Sequence, residues 1–171
     1  MTSVGLISDT HSHLGEDVLS ELVDCDEIWH AGDLGDVQLI DVLSTTDCIV
    51  RGVYGNIDDH QVRAVWPKDL IFTVDGLKVF MTHIGGYPGR YQARVKQELI
   101  IQKPGLYICG HSHILKIAGD EKLNLLHMNP GACGHHGFHQ FRTLIKFKVE
   151  TGKVFDVKVI ELGRRGREES K

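Results

Sequence analysis

The sequence predicts an α/β protein in which two mixed β-sheets pack together with helices outside. Three observations support this fold class: a β-α-β-α-β pattern opens the chain, a hairpin signal stands in its middle, and two alternating strands close it. The chain has 171 residues, which corresponds to one domain at about 150 residues per domain. With 42% hydrophobic residues it can bury a substantial core, so disorder is excluded as the main state.

The opening pattern alternates short apolar runs with apolar residues at helical spacing. The runs at residues 4–8, 27–30 and 47–51 predict buried strands. Apolar residues recur every three to four positions at 18–23 and again at 37–43, which predicts a helix between each pair of strands. Right-handed crossovers would then place the three strands in one parallel sheet.

The rest of the chain predicts a hairpin, a helix and further strands. Asp75-Gly76 between two apolar runs is a strong signal for a two-residue hairpin turn. Near the end of the chain, apolar residues alternate with charged ones, which predicts two strands with one buried and one wet face. In order, these elements are strands at 70–74 and 77–81, a helix at 91–99, a strand at 106–109, and strands at 145–149 and 155–159.

Composition and charge limit the function classes. The formal charge of −4, from 19 Lys+Arg and 23 Asp+Glu, argues against a broad nucleic-acid surface. We expect neither a membrane span nor a signal peptide, and four cysteines without a C-x-x-C pair favour reduced thiols and a cytoplasmic location. We expect a single domain over residues 1–163 and a charged, flexible tail over 164–171.

Five turns share one arrangement, in which an apolar strand runs directly into aspartate, asparagine or histidine. In open α/β sheets, ligands bind in the crevice beyond the carboxyl ends of the strands, so we expect these turns to converge there. In the D-x-H and H-x-H turns, alternate residues of extended backbone would point to the same side. The turns are Asp9-Thr10-His11, Gly32-Asp33, Gly55-Asn56-Ile57-Asp58, His83 and Gly110-His111-Ser112-His113.

Apart from Asp58, the candidate ligands of these turns form a mixed set of two carboxylates, one amide oxygen and four imidazoles. Such a set suits borderline divalent ions, namely Mn²⁺, Fe²⁺, Co²⁺, Ni²⁺ and Zn²⁺. Seven ligands are too many for one tetrahedral ion. They suffice for two ions if one carboxylate bridges them, and paired metals lie about 3.5–4 Å apart in phosphatases and nucleases.

Taken in this order, the motifs resemble those of the calcineurin-like metallophosphoesterases, and the compact length resembles their small bacterial and archaeal phosphodiesterase branch. The resemblance runs from residue 5 to about residue 160. It implies a four-layer α/β/β/α sandwich with two divalent ions, Mn²⁺ first, with Ni²⁺, Fe²⁺, Zn²⁺, Co²⁺ or Mg²⁺ as alternatives. By motif, one ion would be bound by Asp9, His11 and His113 and the other by Asn56, His83 and His111, with Asp33 bridging.

The resemblance also implies a reaction, in-line attack on phosphorus by a hydroxide that bridges the two metals, with Asn56 contacting the phosphate. Many family members carry Gly-Asn-His-Asp/Glu, in which that histidine assists the leaving group. Here the matching position is Ile57, which cannot transfer a proton. We therefore expect faster turnover of esters with acidic leaving groups than of alkyl esters.

Histidines of the glycine-rich stretch near the end of the chain are candidates for the missing general acid. One of His135, His136 and His139 would supply the proton if it reached the crevice, because an unperturbed imidazole has a pKa near 6.5. The alternative is an exposed turn. For His60 we favour an exposed position, and for His127 a role in packing or in capping a strand end.

Three further residues are candidates to support the site or to bind substrate. His30 would either orient a ligand carboxylate or fill the core, and Asp58 would hydrogen-bond a ligand histidine and fix its tautomer. Arg90 would bind a phosphate oxygen through its planar fork, or lie on a helix surface.

Three function classes are consistent with this ligand set: an enzyme, a protein-binding scaffold and a metal-storage or metal-sensing protein. The leading hypothesis is a phosphodiesterase whose substrate is a phosphate ester, with nucleotide-derived esters among the candidates; a homo-oligomer is left open. The alternative is a metallophosphoesterase fold reused as a protein-binding scaffold, as in a retromer subunit. A metal-storage or metal-sensing protein explains Asp33 and Asn56 poorly. Retention of all seven ligands favours the enzyme.

Overall fold

The computed structural model describes residues 1–166, which form two five-stranded sheets, a two-stranded ribbon and four helices. In chain order the elements are β1 (Thr2–Ile7), α1 (Glu16–Leu22), β2 (Glu27–His30), α2 (Gln38–Ser44), β3 (Ile49–Gly52), α3 (His60–Val65), β4 (Asp69–Val74), β5 (Leu77–Thr82), β6 (Gly86–Tyr87), β7 (Arg90–Tyr91), α4 (Ala93–Gln102), β8 (Leu106–Ile108), β9 (Leu115–Asp120), β10 (Leu125–Pro130), β11 (Phe141–Glu150) and β12 (Lys153–Arg164).

Both sheets are mixed, as predicted. The first has the order β12-β11-β1-β2-β3, in which β1, β2 and β3 are parallel and β11 and β12 are antiparallel to their neighbours. The second has the order β4-β5-β8-β10-β9, in which β5, β8 and β10 are parallel. Each sheet therefore contains three adjacent parallel strands, whose carboxyl ends lie along one edge.

Three apolar layers hold the sandwich together. Between the sheets, Trp29 packs edge-on against Phe72 and Phe147, with ring centroids 4.9 and 5.5 Å apart. A second cluster lies under α1, α2 and α3 on the outer face of the first sheet. A third joins Val95 and Leu99 of α4 to the outer face of the second sheet. This arrangement confirms the predicted α/β/β/α sandwich.

The central hairpin is also confirmed. Val74 pairs with Leu77 across the turn, and Asp75 and Gly76 have φ values of 42° and 81°. Positive φ at both central residues is what a type I′ turn requires, and this turn matches the twist of the flanking strands.

Several elements were not predicted because their apolar patterns are weak. Helix α3 buries only Val62 and depends on Asp59, whose carboxylate accepts hydrogen bonds from the backbone N–H of the second and third residues that follow it. Strand β9 contains no fully buried residue. Strand β10 interrupts its apolar run with His127 and Asn129, both buried.

The end of the chain departs from the expected boundary at residue 163. Strand β12 continues through Arg164, and the backbone of Arg165 donates a hydrogen bond to Gln140. Residues 167–171 of the predicted tail lie outside the described residues. In the described part of the chain, no helix combines the length and the apolar character needed to cross a membrane.

Candidate metal centre

The predicted ligands lie on loops that follow the parallel strands of both sheets, and the structure brings them together at one edge of the sandwich. Six of the seven predicted ligands form two groups, and within each group the candidate ligand atoms all lie within 4.8 Å of one another. The seventh, Asn56, lines a neighbouring cleft together with His83. One group comprises Asp9, His11 and His113, and the other comprises Asp33, His83 and His111. Each group could hold a metal ion.

The carboxylates of Asp9 and Asp33 each face a histidine of their own group and a histidine of the other group. Asp9 Oδ1 is 3.1 Å from His113 Nε2 and 3.9 Å from His83 Nε2. Asp33 Oδ1 is 3.2 Å from His83 Nε2, and its Oδ2 is 3.6 Å from His11 Nε2. Asp33 therefore faces a histidine of each group, which is the position that a bridging carboxylate needs.

Three buried atoms at this centre make no hydrogen bond within residues 1–166: Asp9 Oδ1, His11 Nε2 and His83 Nε2. A buried polar atom without a partner costs about 1–3 kcal/mol, so each such atom requires an explanation. A divalent cation in each group would satisfy them, one at Asp9 and His11 and the other at His83. Carboxylate and imidazole ligands together fit Mn²⁺, Fe²⁺, Co²⁺, Ni²⁺ and Zn²⁺.

Neighbouring groups orient the lone pairs toward the centre. Asp9 Oδ2 accepts hydrogen bonds from Ser8 Oγ at 2.6 Å and from the backbone N–H of His111 at 3.1 Å, which leaves Oδ1 for a cation. His83 Nδ1 lies 2.7 Å from the carbonyl oxygen of Ala31. Since a carbonyl can only accept, Nδ1 carries the proton and Nε2 presents its lone pair.

Five of the six grouped residues have a left-handed backbone, which corrects the expectation that extended backbone aligns their side chains. The φ values are 54° for Asp9, 45° for His11, 54° for Asp33, 67° for His111 and 58° for His113. Residues other than glycine rarely adopt such values, and aspartate and histidine tolerate them better than most. Conformations of this kind persist where the surroundings hold them, and they cluster at functional sites.

Backbone pairing between two loops holds this conformation. The N–H of Asp9 donates to the carbonyl of Gly32 at 3.0 Å, and the N–H of His11 donates to the carbonyl of Asp33 at 3.1 Å. The two loops are therefore joined beyond the ends of β1 and β2. Gly55 belongs to a third loop that approaches closely, because a Cβ at that position would collide with Asp33 Oδ1.

In the metal-free protein, burial and charge shift the pKa values of this centre. Burial lowers the pKa of His11 and of His111. Burial alone would also lower the pKa of His83, but its contact with Asp33 and the charge of Asp9 outweigh burial and raise it. Burial raises and His83 lowers the pKa of Asp33, with a net decrease. A metal ion at this group therefore competes with a proton held at His83.

Asp58 has a different role from the predicted one. Its carboxylate accepts hydrogen bonds from the backbone N–H groups of Leu34, Gly35 and Gly55 at 3.2, 2.7 and 2.7 Å, rather than from a ligand histidine. It is 3% exposed. Asp58 thus joins the loop that follows Asp33 to the loop that contains Asn56.

We expect Asp58→Ala to destabilise the metal-free protein by about 3 kcal/mol, because three backbone N–H groups lose a charged acceptor. Urea unfolding followed by circular dichroism measures this change. Asp41→Ala on the exposed side of α2 is the control and should change the free energy of unfolding by less than about 0.5 kcal/mol. A loss below about 1 kcal/mol for Asp58→Ala would show that water replaces the carboxylate.

His30 is fully buried and supports two ligand loops without contacting a ligand carboxylate. Its Nε2 lies 3.0 Å from Thr10 Oγ1, and its Nδ1 accepts a hydrogen bond from the N–H of Gly32 at 3.1 Å. Because Nδ1 accepts, Nε2–H donates to the hydroxyl of Thr10. Burial lowers the pKa of His30 to about 4, so the ring is neutral at pH 7.

The three candidates for the general acid lie in different surroundings. His135 Nδ1 is 2.5 Å from the carbonyl oxygen of Gly166. His136 is exposed and lies beside His11, with ring centroids 4.9 Å apart. His139 Nδ1 is 3.2 Å from Nδ1 of His113. His136 is therefore the candidate that retains access to the centre without a hydrogen bond to a neighbouring loop carbonyl or ligand histidine in the described structure.

The other predicted residues lie away from the two groups. His60 begins α3 and is exposed, as expected. Arg90 lies on the short strand β7, paired with Tyr87, not on a helix. His127 is buried in β10 and stacks on Tyr107 with ring centroids 4.9 Å apart.

We expect His127→Phe to reduce the loss of stability that the metal-free protein shows in acid. Burial lowers the pKa of His127 to about 4 from 6.5, so the unfolded chain binds the proton more tightly. The stability that this group contributes is complete above pH 6.5 and is lost as pH falls to 4. At pH 5 the loss is on the order of 2 kcal/mol.

Urea unfolding at pH 7 and pH 5 tests this expectation, with His60→Phe as the exposed control. The difference in unfolding free energy between the two pH values should shrink for His127→Phe and stay unchanged for His60→Phe. Equal pH dependence in the wild type and His127→Phe would contradict it.

Two adjoining clefts border the Asp33–His83–His111 group and contain residues that the sequence patterns did not single out. A cleft of about 300 Å³ is lined by Asn56 and His83 together with Arg63, Lys68 and Arg94. A second, of about 410 Å³, reaches from His111 to apolar and aromatic side chains, including Ile84, Tyr87 and Ile114. The three basic residues belong to none of the sequence motifs, and only the fold brings them beside Asn56.

Comparisons of sequence place this chain among phosphoesterases. A family model described as the calcineurin-like phosphoesterase superfamily domain matches residues 2–152. A phosphodiesterase of Methanocaldococcus jannaschii is 28% identical over 148 residues, which cover 76% of this chain and 83% of that protein. A protein of Methanothermobacter thermautotrophicus named "Probable metallophosphoesterase" is 31% identical over 134 residues, covering 75% of this chain and 76% of that protein.

Solved structures share the fold. The structure of an archaeal phosphodiesterase superposes with a TM-score of 0.74 at 21% identity and covers 93% of this chain and 99% of that chain. Vps29 of Chaetomium thermophilum superposes with a TM-score of 0.72 at 14% identity and covers 94% of this chain and 97% of that chain. At these identities the likeness establishes the architecture.

Proposed function

Because the chain belongs to the calcineurin-like phosphoesterase superfamily, we propose that it is a metal-dependent phosphodiesterase with two divalent ions. The observation that carries the proposal is the position of Asp33, whose carboxylate lies 3.2 Å from His83 of one group and 3.6 Å from His11 of the other. A carboxylate placed in this way can bridge two ions. The unpartnered buried atoms around it support the same conclusion.

We assign the residues by motif and by position. When bound, two divalent ions would lower the pKa of a bound water and neutralise charge on the phosphoryl oxygens of an ester. Asn56 lies in the wall of the smaller cleft beside His83, where its amide can donate to a phosphoryl oxygen. One ion would be held by Asp9, His11 and His113 and the other by His83 and His111, with Asp33 shared; by motif, Asn56 would join the second set.

The two clefts favour a diester over a monoester. A phosphodiester carries two organic groups, and the Asp33–His83–His111 group borders two adjoining clefts, one of about 300 Å³ lined by His83 and one of about 410 Å³ lined by His111. Both volumes fall in the range of small-molecule sites, about 300–1,000 Å³. Arg63 and Lys68 in the smaller cleft would attract an anionic substrate. A nucleotide-derived ester fits these requirements.

The ligand set bears on the identity of the metal, and the cysteines bear on the location. The resemblance to the family puts Mn²⁺ first, and the mixed carboxylate and imidazole set also fits Ni²⁺, Fe²⁺, Zn²⁺, Co²⁺ or Mg²⁺, so that supply decides occupancy as much as the ligands do. The four cysteines are free thiols, which supports a reducing compartment, the cytoplasm.

The test is to strip the protein of metal and refill it with Mn²⁺, Ni²⁺, Zn²⁺ or Mg²⁺. Each form is assayed against bis(p-nitrophenyl) phosphate and p-nitrophenyl phosphate. We expect metal-dependent hydrolysis with a higher kcat/KM for the diester. Preference for the monoester would reject the diesterase assignment. Two bound ions without hydrolysis of either ester would favour the alternative, a protein-binding scaffold.

A further inference from the structure

The rings of His139 and His113 are in contact, and the proposed hydrolysis gives His139 no role. Their Nδ1 atoms are 3.2 Å apart, and their rings meet edge-on with centroids 5.1 Å apart. His113 directs its other nitrogen, Nε2, toward Asp9 Oδ1 at 3.1 Å. His139 thus lies directly behind a candidate metal ligand.

The proton positions in this pair follow from the carbonyl at its outer end. His139 Nε2 is 2.9 Å from the carbonyl oxygen of Gly134. Since a carbonyl oxygen only accepts, Nε2 of His139 carries the proton, and Nδ1 of the neutral ring is an acceptor. His113 must then donate from its own Nδ1, which leaves its Nε2 unprotonated and directed toward Asp9. This is the tautomer that a metal ligand requires.

The carbonyl that sets these positions is itself fixed to the segment that carries Asp9. The backbone N–H of Gly134 donates to the carbonyl of Asp9 at 3.2 Å, and the N–H of Cys133 donates to the carbonyl of Ser8 at 3.1 Å. The sequence of contacts therefore begins and ends at the same residue: Asp9 backbone, Gly134, His139, His113 and Asp9 carboxylate.

The other group uses a shorter version of this arrangement. His83 donates from Nδ1 to the carbonyl of Ala31 at 2.7 Å, two residues before Asp33. In each group, one histidine is therefore oriented by the segment that supplies the carboxylate. His83 reaches that segment directly, whereas His113 reaches it through His139.

We propose that His139 is a positioning residue that fixes the tautomer and orientation of His113, and so sets the affinity of the Asp9–His11–His113 group for its metal ion. Gly137 makes this contact possible, since a Cβ there would collide with Nδ1 and Cε1 of His113. The inference rests on the proposed metal centre and not on turnover. It replaces the expectation that His139 is the general acid.

The test measures Mn²⁺ binding to the metal-stripped full chain without substrate. His139→Leu should lower the affinity for one of the two ions by about 10- to 100-fold, which is the usual effect of losing the hydrogen-bond partner of a ligand histidine. The affinity for the other ion should stay unchanged. His139→Gln should bind nearly as the wild type does, because its amide can accept from His113 and donate to Gly134. His60→Leu, the same change at an exposed histidine, is the matched control.

A double variant tests the route of the effect. Adding His139→Leu to His113→Gln should cause little further loss of Mn²⁺ affinity, because His139 acts only through His113. The proposal is overturned if His139→Leu retains both Mn²⁺ affinities or lowers both equally. It is also overturned if His139→Gln binds Mn²⁺ as poorly as His139→Leu does. Fully additive losses in the double variant would also overturn it. Since no substrate is present, a protein that binds two ions without hydrolysing esters leaves this result intact.

Discussion

Asp33→Asn should lower kcat/KM for bis(p-nitrophenyl) phosphate on the order of 10³-fold, because a shared carboxylate binds both ions and offsets the repulsion between their charges. The change keeps the size of the side chain. It also keeps an oxygen for the backbone N–H of Ile57, which donates to Asp33 Oδ1 at 3.1 Å. What it removes is the negative charge that faces His11 and His83.

Metal content distinguishes this explanation from a loss of folding. Stripped and refilled Asp33→Asn should bind less than the two Mn²⁺ ions expected of the wild type, while its far-ultraviolet circular dichroism stays unchanged. Asp41→Asn is the matched control, since the same change on the exposed side of α2 should leave both activity and metal content intact. Activity within tenfold of the wild type would reject Asp33 as the bridge.

Much of this site could be predicted because strand ends leave a local signal. Asp9, Asp33 and His83 each follow an apolar run directly, and a parallel sheet places such positions at one edge. Glycines beside them mark close approach of the backbone. Residue type, spacing and order were therefore enough to predict that these side chains converge, whereas their division into two sets followed from the family resemblance and the distances come only from the fold.

The roles of supporting residues could not be predicted because they depend on backbone paths that sequence spacing does not fix. Asp58 binds three backbone N–H groups, two of which lie more than twenty residues away in the chain. His139 follows a loop with φ of 127° at Gly137, and nothing in its composition indicates that it turns toward His113. Local pattern predicts which residues reach an edge, not which of them contact each other.

The basic residues of the smaller cleft illustrate the same limit. Arg94 lies on α4 and pairs with Asp69 of β4, while Arg63 lies on α3, a helix with too little apolar periodicity to be predicted. They line the cleft only because the two sheets face each other. Arg90 had the clearer local context, yet it lies on the exposed ribbon.

Replacing Ile57 with histidine should raise the hydrolysis of alkyl phosphodiesters by roughly 10²-fold, the lower end of the contribution of a positioned general acid. Ile57 is 46% exposed, so a polar ring can be accommodated. Its backbone bonds directly to Asp33, which fixes the position next to the centre. Aryl diesters with acidic leaving groups need no proton and should change little.

The measurement is the rate of a series of diesters plotted against the pKa of the leaving group, for the wild type, Ile57→His and Ile57→Gln. The wild type and Ile57→Gln should give the same steep slope, because glutamine is polar but carries no transferable proton at this pH. Ile57→His should give a shallower slope. A flat plot for the wild type that becomes steep in His136→Gln would instead assign the proton to His136, whose ring lies 4.9 Å from that of His11. In that case His136, beside His11, would donate the proton that Ile57 cannot supply.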